Sequence, residues 1–248
     1  MITNSYRKSE PKMTPKNFVE KIDQIDYCLI IFSNEIFNYV LENYKCELVA
    51  HLKDCTGGRD VYKFINNGKT IAFYNTYVGS TSTGNLIEET NALLEIKHYV
   101  MFGSCGSLDK EKTTNRFIIP HKAYRDEGMS YHYMEPSDYI DVNNYKIVEE
   151  IFKKYNIPYI VGSTWTTDAF YRETIEEIKE RKCNGDIVVE MEVAGAQAVC
   201  DYLKTNLYNF LAAGDVLSDE EYKHDDLHNA NHSLDKLDIA LKIIDSID

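Results

Sequence analysis

Short apolar runs alternate along this chain with longer stretches whose apolar residues recur every three or four positions. The first run, Tyr27 to Phe32, predicts a buried strand, and Ile36, Phe37, Val40 and Leu41 share one face of a helix over Glu35 to Tyr44. Ser33-Asn34 is then the turn of the first β–turn–α unit. Val61 to Ile65 and Thr70 to Val78 flank Asn66-Asn67-Gly68 and predict a hairpin, because Asn-Gly supplies the positive φ angles of a tight turn. A Gly-, Ser- and Thr-rich turn follows at Gly79 to Gly84. Further helices are expected over Leu86 to Ile96, Val142 to Tyr155, Glu173 to Lys182, Val193 to Lys204 and Ser233 to Ile247. Strands are expected at His98 to Phe102, at Arg116 to Pro120, where the proline ends the strand, and at Tyr159 to Gly162. This alternation predicts a mainly parallel sheet wrapped by helices on both faces, with ligands bound at the carboxyl ends of its strands.

The totals narrow the class. At 248 residues the chain suits one large α/β domain spanning 1–248, with the polar residues 1–13 loosely ordered. Forty acidic against 27 basic residues give a net charge of −13, so nucleic acid and anionic membranes are not expected partners. The amino-terminal residues lack an apolar core and no run is long enough to span a membrane, which predicts a cytoplasmic protein. The six cysteines are dispersed without a CxxC pair, so reduced core thiols are expected rather than disulfides or a zinc site.

Candidate chemistry gathers at strand-to-helix junctions. In Ile187 to Cys200, Glu190 and Glu192 lie two apart ahead of a small-residue helix. An extended chain points both carboxylates the same way, toward any ligand hydroxyls; the competing reading is a helix start whose acids the helix dipole favours. Asp215 follows the apolar run Tyr208 to Ala213, where partial burial would raise its pKa, or it is a cap or turn former. Trp165, the single Trp, is either a stacking platform or a core residue. Ser218 to His232 offers His224, Asp225, Asp226, His228 and His232, but the run reads as a mobile polar loop and no metal site is expected. Gly79 to Gly84 has no following Lys, so as a phosphate loop it is a weak signal.

Five motifs in order resemble those of the nucleoside phosphorylase-I family of purine nucleoside phosphorylases, uridine phosphorylases and related nucleosidases. They are GSCGSL at Gly103 to Leu108, AYRDEGMSYHY at Ala123 to Tyr133, WTTDAFY at Trp165 to Tyr171, VEMEVAG at Val189 to Gly195 and LAAGD at Leu211 to Asp215. The resemblance implies a single-domain three-layer α/β/α fold with a mixed, mainly parallel sheet. It implies cleavage of a nucleoside's N-glycosidic bond, most simply a purine nucleoside with phosphate as co-substrate and no other cofactor. Glu192 would hold the ribose hydroxyls, Met191 would pack on the sugar, and Glu190 would support the pocket. Asp215 would protonate the leaving base, and Trp165, with Phe170 of the same motif, would meet that base. Ser104, Cys105 and Gly106 form the phosphate turn. Arg125 is a base-side contact or half of an ion pair with Asp126.

Two arginines of the phosphorylase pattern are absent: Met101 stands before the phosphate turn, and Phe37 in the first β–α turn. Each would have made charge-assisted bonds of about 1.5–3 kcal/mol. Lys53 or Arg59 from a neighbouring subunit are substitutes by rough placement. The deficit makes hydrolysis the rival activity, with Glu35 as the water-activating acid or merely a helix-start acid, and a silent nucleoside-binding protein the second rival. The resemblance further implies a homodimer, or a hexamer built as a trimer of dimers, and a gate formed by Ser218 to His232.

Overall fold

The computed structural model describes residues 5–55, 57–217, 222–224 and 226–248. The chain forms β1 (Tyr27–Ile31), α1 (Asn34–Asn43), β2 (Glu47–Leu52), β3 (Arg59–Asn66), β4 (Lys69–Asn75), α2 (Ser80–Leu94) and β5 (His98–Ser107). It continues through α3 (Lys110–Thr113), β6 (Phe117–Asp126), α4 (Ser130–Tyr133), β7 (Tyr139–Asp141), α5 (Tyr145–Lys154), β8 (Tyr159–Thr167) and α6 (Ile175–Cys183). The remaining elements are β9 (Asp186–Glu190), α7 (Val193–Leu203), β10 (Asn206–Val216), α8 (Leu227–His232) and α9 (Asp235–Ser246).

The strands form one mixed sheet in the order β10-β6-β8-β9-β5-β1-β4-β3-β2, and β10 also pairs with β5. That extra pairing closes β5, β10, β6, β8 and β9 into a barrel-like ring, from which β1, β4, β3 and β2 extend as an open sheet. β1 pairs in parallel with β4 and β5, β10 with β5, and β6 with β8, whereas β3 runs antiparallel to β2 and β4. The α/β expectation holds, with helices on both faces. β1 explains why it reads as a continuous apolar run. Cys28 and Ile30 feed the core under α2 and α7, whereas Tyr27, Leu29 and Ile31 feed the core under α1, α5 and α9. Among the described residues no helix is long and apolar enough to cross a membrane.

Three local expectations need correction. The strand expected to stop at Pro120 continues to Asp126, because the ladder to β8 shifts register between Pro120 and Lys122 and so absorbs the missing donor. The Gly79 to Gly84 turn is instead the first turn of α2, capped by Gly79 at φ 109°. Part of the polar run after Asp215 is helical, as α8. The hairpin expectation holds at its turn, where Asn67 and Gly68 take φ of 47° and 81° between β3 and β4.

Candidate functional site

One cavity of about 500 Å³ opens where the carboxyl ends of β1, β5, β9 and β10 meet. The β9–α7 junction builds one wall. Glu190 ends β9, and its Oε2 accepts from the backbone N–H groups of Glu192 and Val193, each at 2.7 Å, so it binds the exposed amides at the start of α7. Its Oε1 accepts from Thr164 at 3.2 Å and from Thr166. Glu192 is held by the Met191 backbone and also accepts from the Gly79 N–H at 2.6 Å. That contact needs α2 to press against α7, and Gly195 permits it: a Cβ there would lie 2.6 Å from the Ser80 Cβ.

Burial pushes both acids above the usual carboxylate range, and the Glu190 charge pushes Glu192 further. Four donors hold the negative charge on Glu190, so Glu192 is the member that carries a proton first. Glu190 thus acts as the helix-start acid, and both Glu190 and Glu192 line the cavity.

The opposite wall carries Asp215, near the end of β10. Its pKa is raised by burial, while the Tyr222 hydroxyl donates to Oδ2 at 3.0 Å and offsets part of that rise. Glu173 lines the same end, and burial, followed by the Asp215 charge, brings it to about 7. Sequence reasoning missed Glu173; its position just beyond the WTTDAFY motif was the available signal. Phe170 lines the cavity beside it and is 44% exposed.

The floor is Gly103-Ser104-Cys105-Gly106, which is not the expected turn: the strand expected to stop at Phe102 runs on to Ser107, these residues pairing with β10. Ser104 donates its hydroxyl proton to Asn231 Oδ1, and His232 Nδ1 lies 2.8 Å from Ser33 Oγ, so α8 lies across both segments. A Cβ at Gly106 would come within 2.4 Å of the end of the Leu217 side chain and 3.2 Å of Asp215 Oδ1, so a larger residue there would displace Leu217 and crowd Asp215. Among the described lining residues, Lys236 is the single Lys or Arg. It is buried, its ammonium bonds to the carbonyls of Ala230 and Asn231, and desolvation lowers its pKa to about 8.

Several expected site residues lie elsewhere. Trp165 sits inside β8, 2% exposed, packed on Leu108 and Val189 behind the cavity wall, and its indole N–H donates to Asp126 at 3.0 Å. It is a core residue of this chain. Arg125 does not pair with Asp126: its guanidinium bonds to Ser130, Ser137 and the Glu135 carbonyl and covers the Tyr131 ring. Arg59 stacks 3.5 Å above Tyr77, and neither it nor Lys53 lines the cavity of its own chain. At the two missing-arginine positions, Phe37 packs against Tyr62 and Phe73, and Met101 is buried in the core. Of the His-rich run, Asp225 and residues 218–221 lie outside the described residues.

The family model described as the phosphorylase superfamily matches residues 27–242. The chain is 21% identical over 209 residues to a DeoD-type purine nucleoside phosphorylase of Brevibacillus brevis, covering 82% of this chain and 86% of that one. Among solved structures, uridine phosphorylase from Vibrio fischeri superimposes with a TM-score of 0.75 at 19% identity, covering 93% of this chain and 97% of the other. Futalosine hydrolase of Helicobacter pylori does so with 0.73 at 15% identity, over 90% and 98%.

Proposed function

Because this chain belongs to the phosphorylase superfamily, we propose that it cleaves the N-glycosidic bond of a purine nucleoside, with phosphate taking the ribosyl group. The observation that carries this reading is the opposition, across one cavity, of the Glu190–Glu192 pair and the raised carboxyl of Asp215. Breaking the bond leaves positive charge on the ribose and an electron pair on the base. Glu192 accepts from the ribose hydroxyls and, with Glu190, offsets the ribosyl charge. Asp215, protonated more readily than an ordinary aspartate, gives its proton to the departing base nitrogen. A phosphate oxygen then bonds to the anomeric carbon, giving free base and ribose 1-phosphate. Phe170 stacks on the base, in place of Trp165. The purine preference draws support from Asp215 and from the purine phosphorylase relative.

A second reading, hydrolysis, is favoured by one observation. The lining holds four carboxylates, Glu173, Glu190, Glu192 and Asp215, against one Lys whose charge is already engaged by two carbonyls. The hydrolase among the structural neighbours agrees with that composition. Incubating the pure protein with inosine, adenosine, guanosine and uridine, with and without phosphate, separates the readings. Phosphate-dependent release of base with ribose 1-phosphate supports phosphorolysis, and equal release as free ribose without phosphate supports hydrolysis. No release from any of the four overturns both for these substrates. The reading carries with it a homodimer or trimer of dimers, consistent with exposed Val78 and Phe170 at the cavity rim.

A further inference from the structure

The acceptor end of the cavity, where both expected arginines are replaced, is bordered by three side chains that can each offer a metal ligand atom. His228 and His232 are four apart on α8 and so share a face, with ring centroids 4.7 Å apart. Glu35, in the first turn of α1, reaches them from the opposite side: its Oε1 lies 3.6 Å from His228 Nε2 and 3.8 Å from His232 Nδ1. One ligand atom from each residue falls within 4.8 Å of the other two. We propose that Glu35, His228 and His232 bind a divalent transition-metal ion of the zinc class at the mouth of the cavity.

Tetrahedral zinc with bonds of about 2.0–2.1 Å sets its ligands roughly 3.3–3.5 Å apart, so the observed separations need only small side-chain movements. Glu35 and His228 are 60% and 79% exposed and can make them. Ser33 supports the arrangement. Its hydroxyl oxygen accepts from the Ile36 N–H at 3.2 Å and lies 2.8 Å from His232 Nδ1, which holds the ring beside Glu35; an ion bound at Nδ1 takes the place of that Ser33 contact. Two imidazoles and one carboxylate select zinc, cobalt or nickel over magnesium and calcium. Three protein ligands would leave a fourth position for a water or substrate oxygen, and one of them, His232, lines the cavity.

An ion there supplies the positive charge that Phe37 and Met101 do not. Its catalytic consequence rests on the glycosidic-cleavage reading, whereas its presence does not. The ion would hold the acceptor phosphate or lower the pKa of an acceptor water.

The test uses tag-free full-length protein, stripped with chelator and titrated with Zn2+ by calorimetry and with Co2+ by visible absorption, without nucleoside. Wild type should take up one ion per chain with a tetrahedral cobalt spectrum. His228→Ala and Glu35→Gln, both at exposed positions, should weaken binding by at least the roughly 10–100-fold seen when metal-site partners are lost. Thermal melts confirm that each variant is folded. No stoichiometric uptake by wild type, or uptake undiminished in both variants, overturns the proposal. Nucleosidic cleavage is assayed separately with and without chelator, so failure of the activity leaves the binding result intact, and the reverse.

Discussion

Glu173 is the most direct test of the electrostatics assigned to the base end of the cavity. Its folded pKa of about 7, against an ordinary 4.5, means that the native state keeps a proton which the unfolded chain releases between those values. Stability is therefore undiminished below about pH 4.5, falls as pH rises through the window, and carries the full deficit above about 7. The gap corresponds, at about 1.4 kcal/mol per unit, to roughly 3 kcal/mol. Solvent reaches part of this side chain, and screening reduces the figure to about 1–2 kcal/mol. Glu173→Gln keeps the shape and removes the ionisation. Urea unfolding at pH 8 should find the variant more stable than wild type by that amount, a rise of about 3–6 °C in Tm for a domain of this size. At pH 5 the two should coincide. An equal stability difference at pH 5 and pH 8 would falsify the assignment, because a neutral packing effect does not titrate.

Glu192→Gln removes a charged acceptor and should lower kcat/KM by roughly 10–100-fold, from about 1.5–3 kcal/mol per bond to a charged group, with the fold intact by circular dichroism. Trp165→Phe should lower stability by about 1–3 kcal/mol through its Asp126 partner and leave KM unchanged, whereas Phe170→Ala should raise KM by about 5- to 100-fold if its ring stacks on the base. A raised KM in the Trp variant alone would return the stacking role to Trp165. Phe37→Arg should destabilise the fold by about 1–3 kcal/mol through loss of its contacts with Tyr62 and Phe73, without improving phosphate binding in an equilibrium titration. Gly195→Ala should lower Tm through overpacking of about 1–3 kcal/mol against Ser80 and lower kcat/KM with it, since the same approach brings Gly79 to Glu192.

What the sequence made legible follows its local physics. β1, α1 and the Asn67–Gly68 hairpin were found because burial on two faces, a helical apolar stripe and a positive-φ turn each leave a mark within a few residues. Four of the five motifs bring residues to one cavity: Gly103 to Gly106 of β5, Phe170, the β9–α7 junction and Asp215 near the end of β10. Trp165 was misplaced because a strand end and a strand interior look alike until the length of the strand is known. β8 runs on to Thr167, so the indole points into a core formed with Leu108 and Val189, and the next aromatic outside the strand, Phe170, reaches the cavity. α8 was missed because Leu227 to His232 has little apolar periodicity; its place comes from Asn231 on Ser104 and His232 on Ser33. Such partners, well over a hundred residues apart in sequence, leave no local pattern.

The division of labour between Glu190 and Glu192 explains how one acidic stretch serves both fold and site. A helix of small residues begins with bare amides that need an acceptor, and a carboxylate two residues ahead can reach them only if the chain is still extended there. Glu190 meets that need with two backbone and two threonine donors, so its charge is spent within the protein. Glu192, held by backbone amides alone and by no side-chain donor among the described residues, can change partners when a ligand arrives. Replacing Glu190 should therefore be costlier for stability than replacing Glu192, because a buried helix start would lose its acceptor. Replacing Glu192 should be costlier for turnover. The two substitutions act on different observables, and comparing urea midpoints with kcat/KM for Glu190→Gln and Glu192→Gln separates them. Equal losses of both quantities in the two variants would show that the pair works as a single ionised unit.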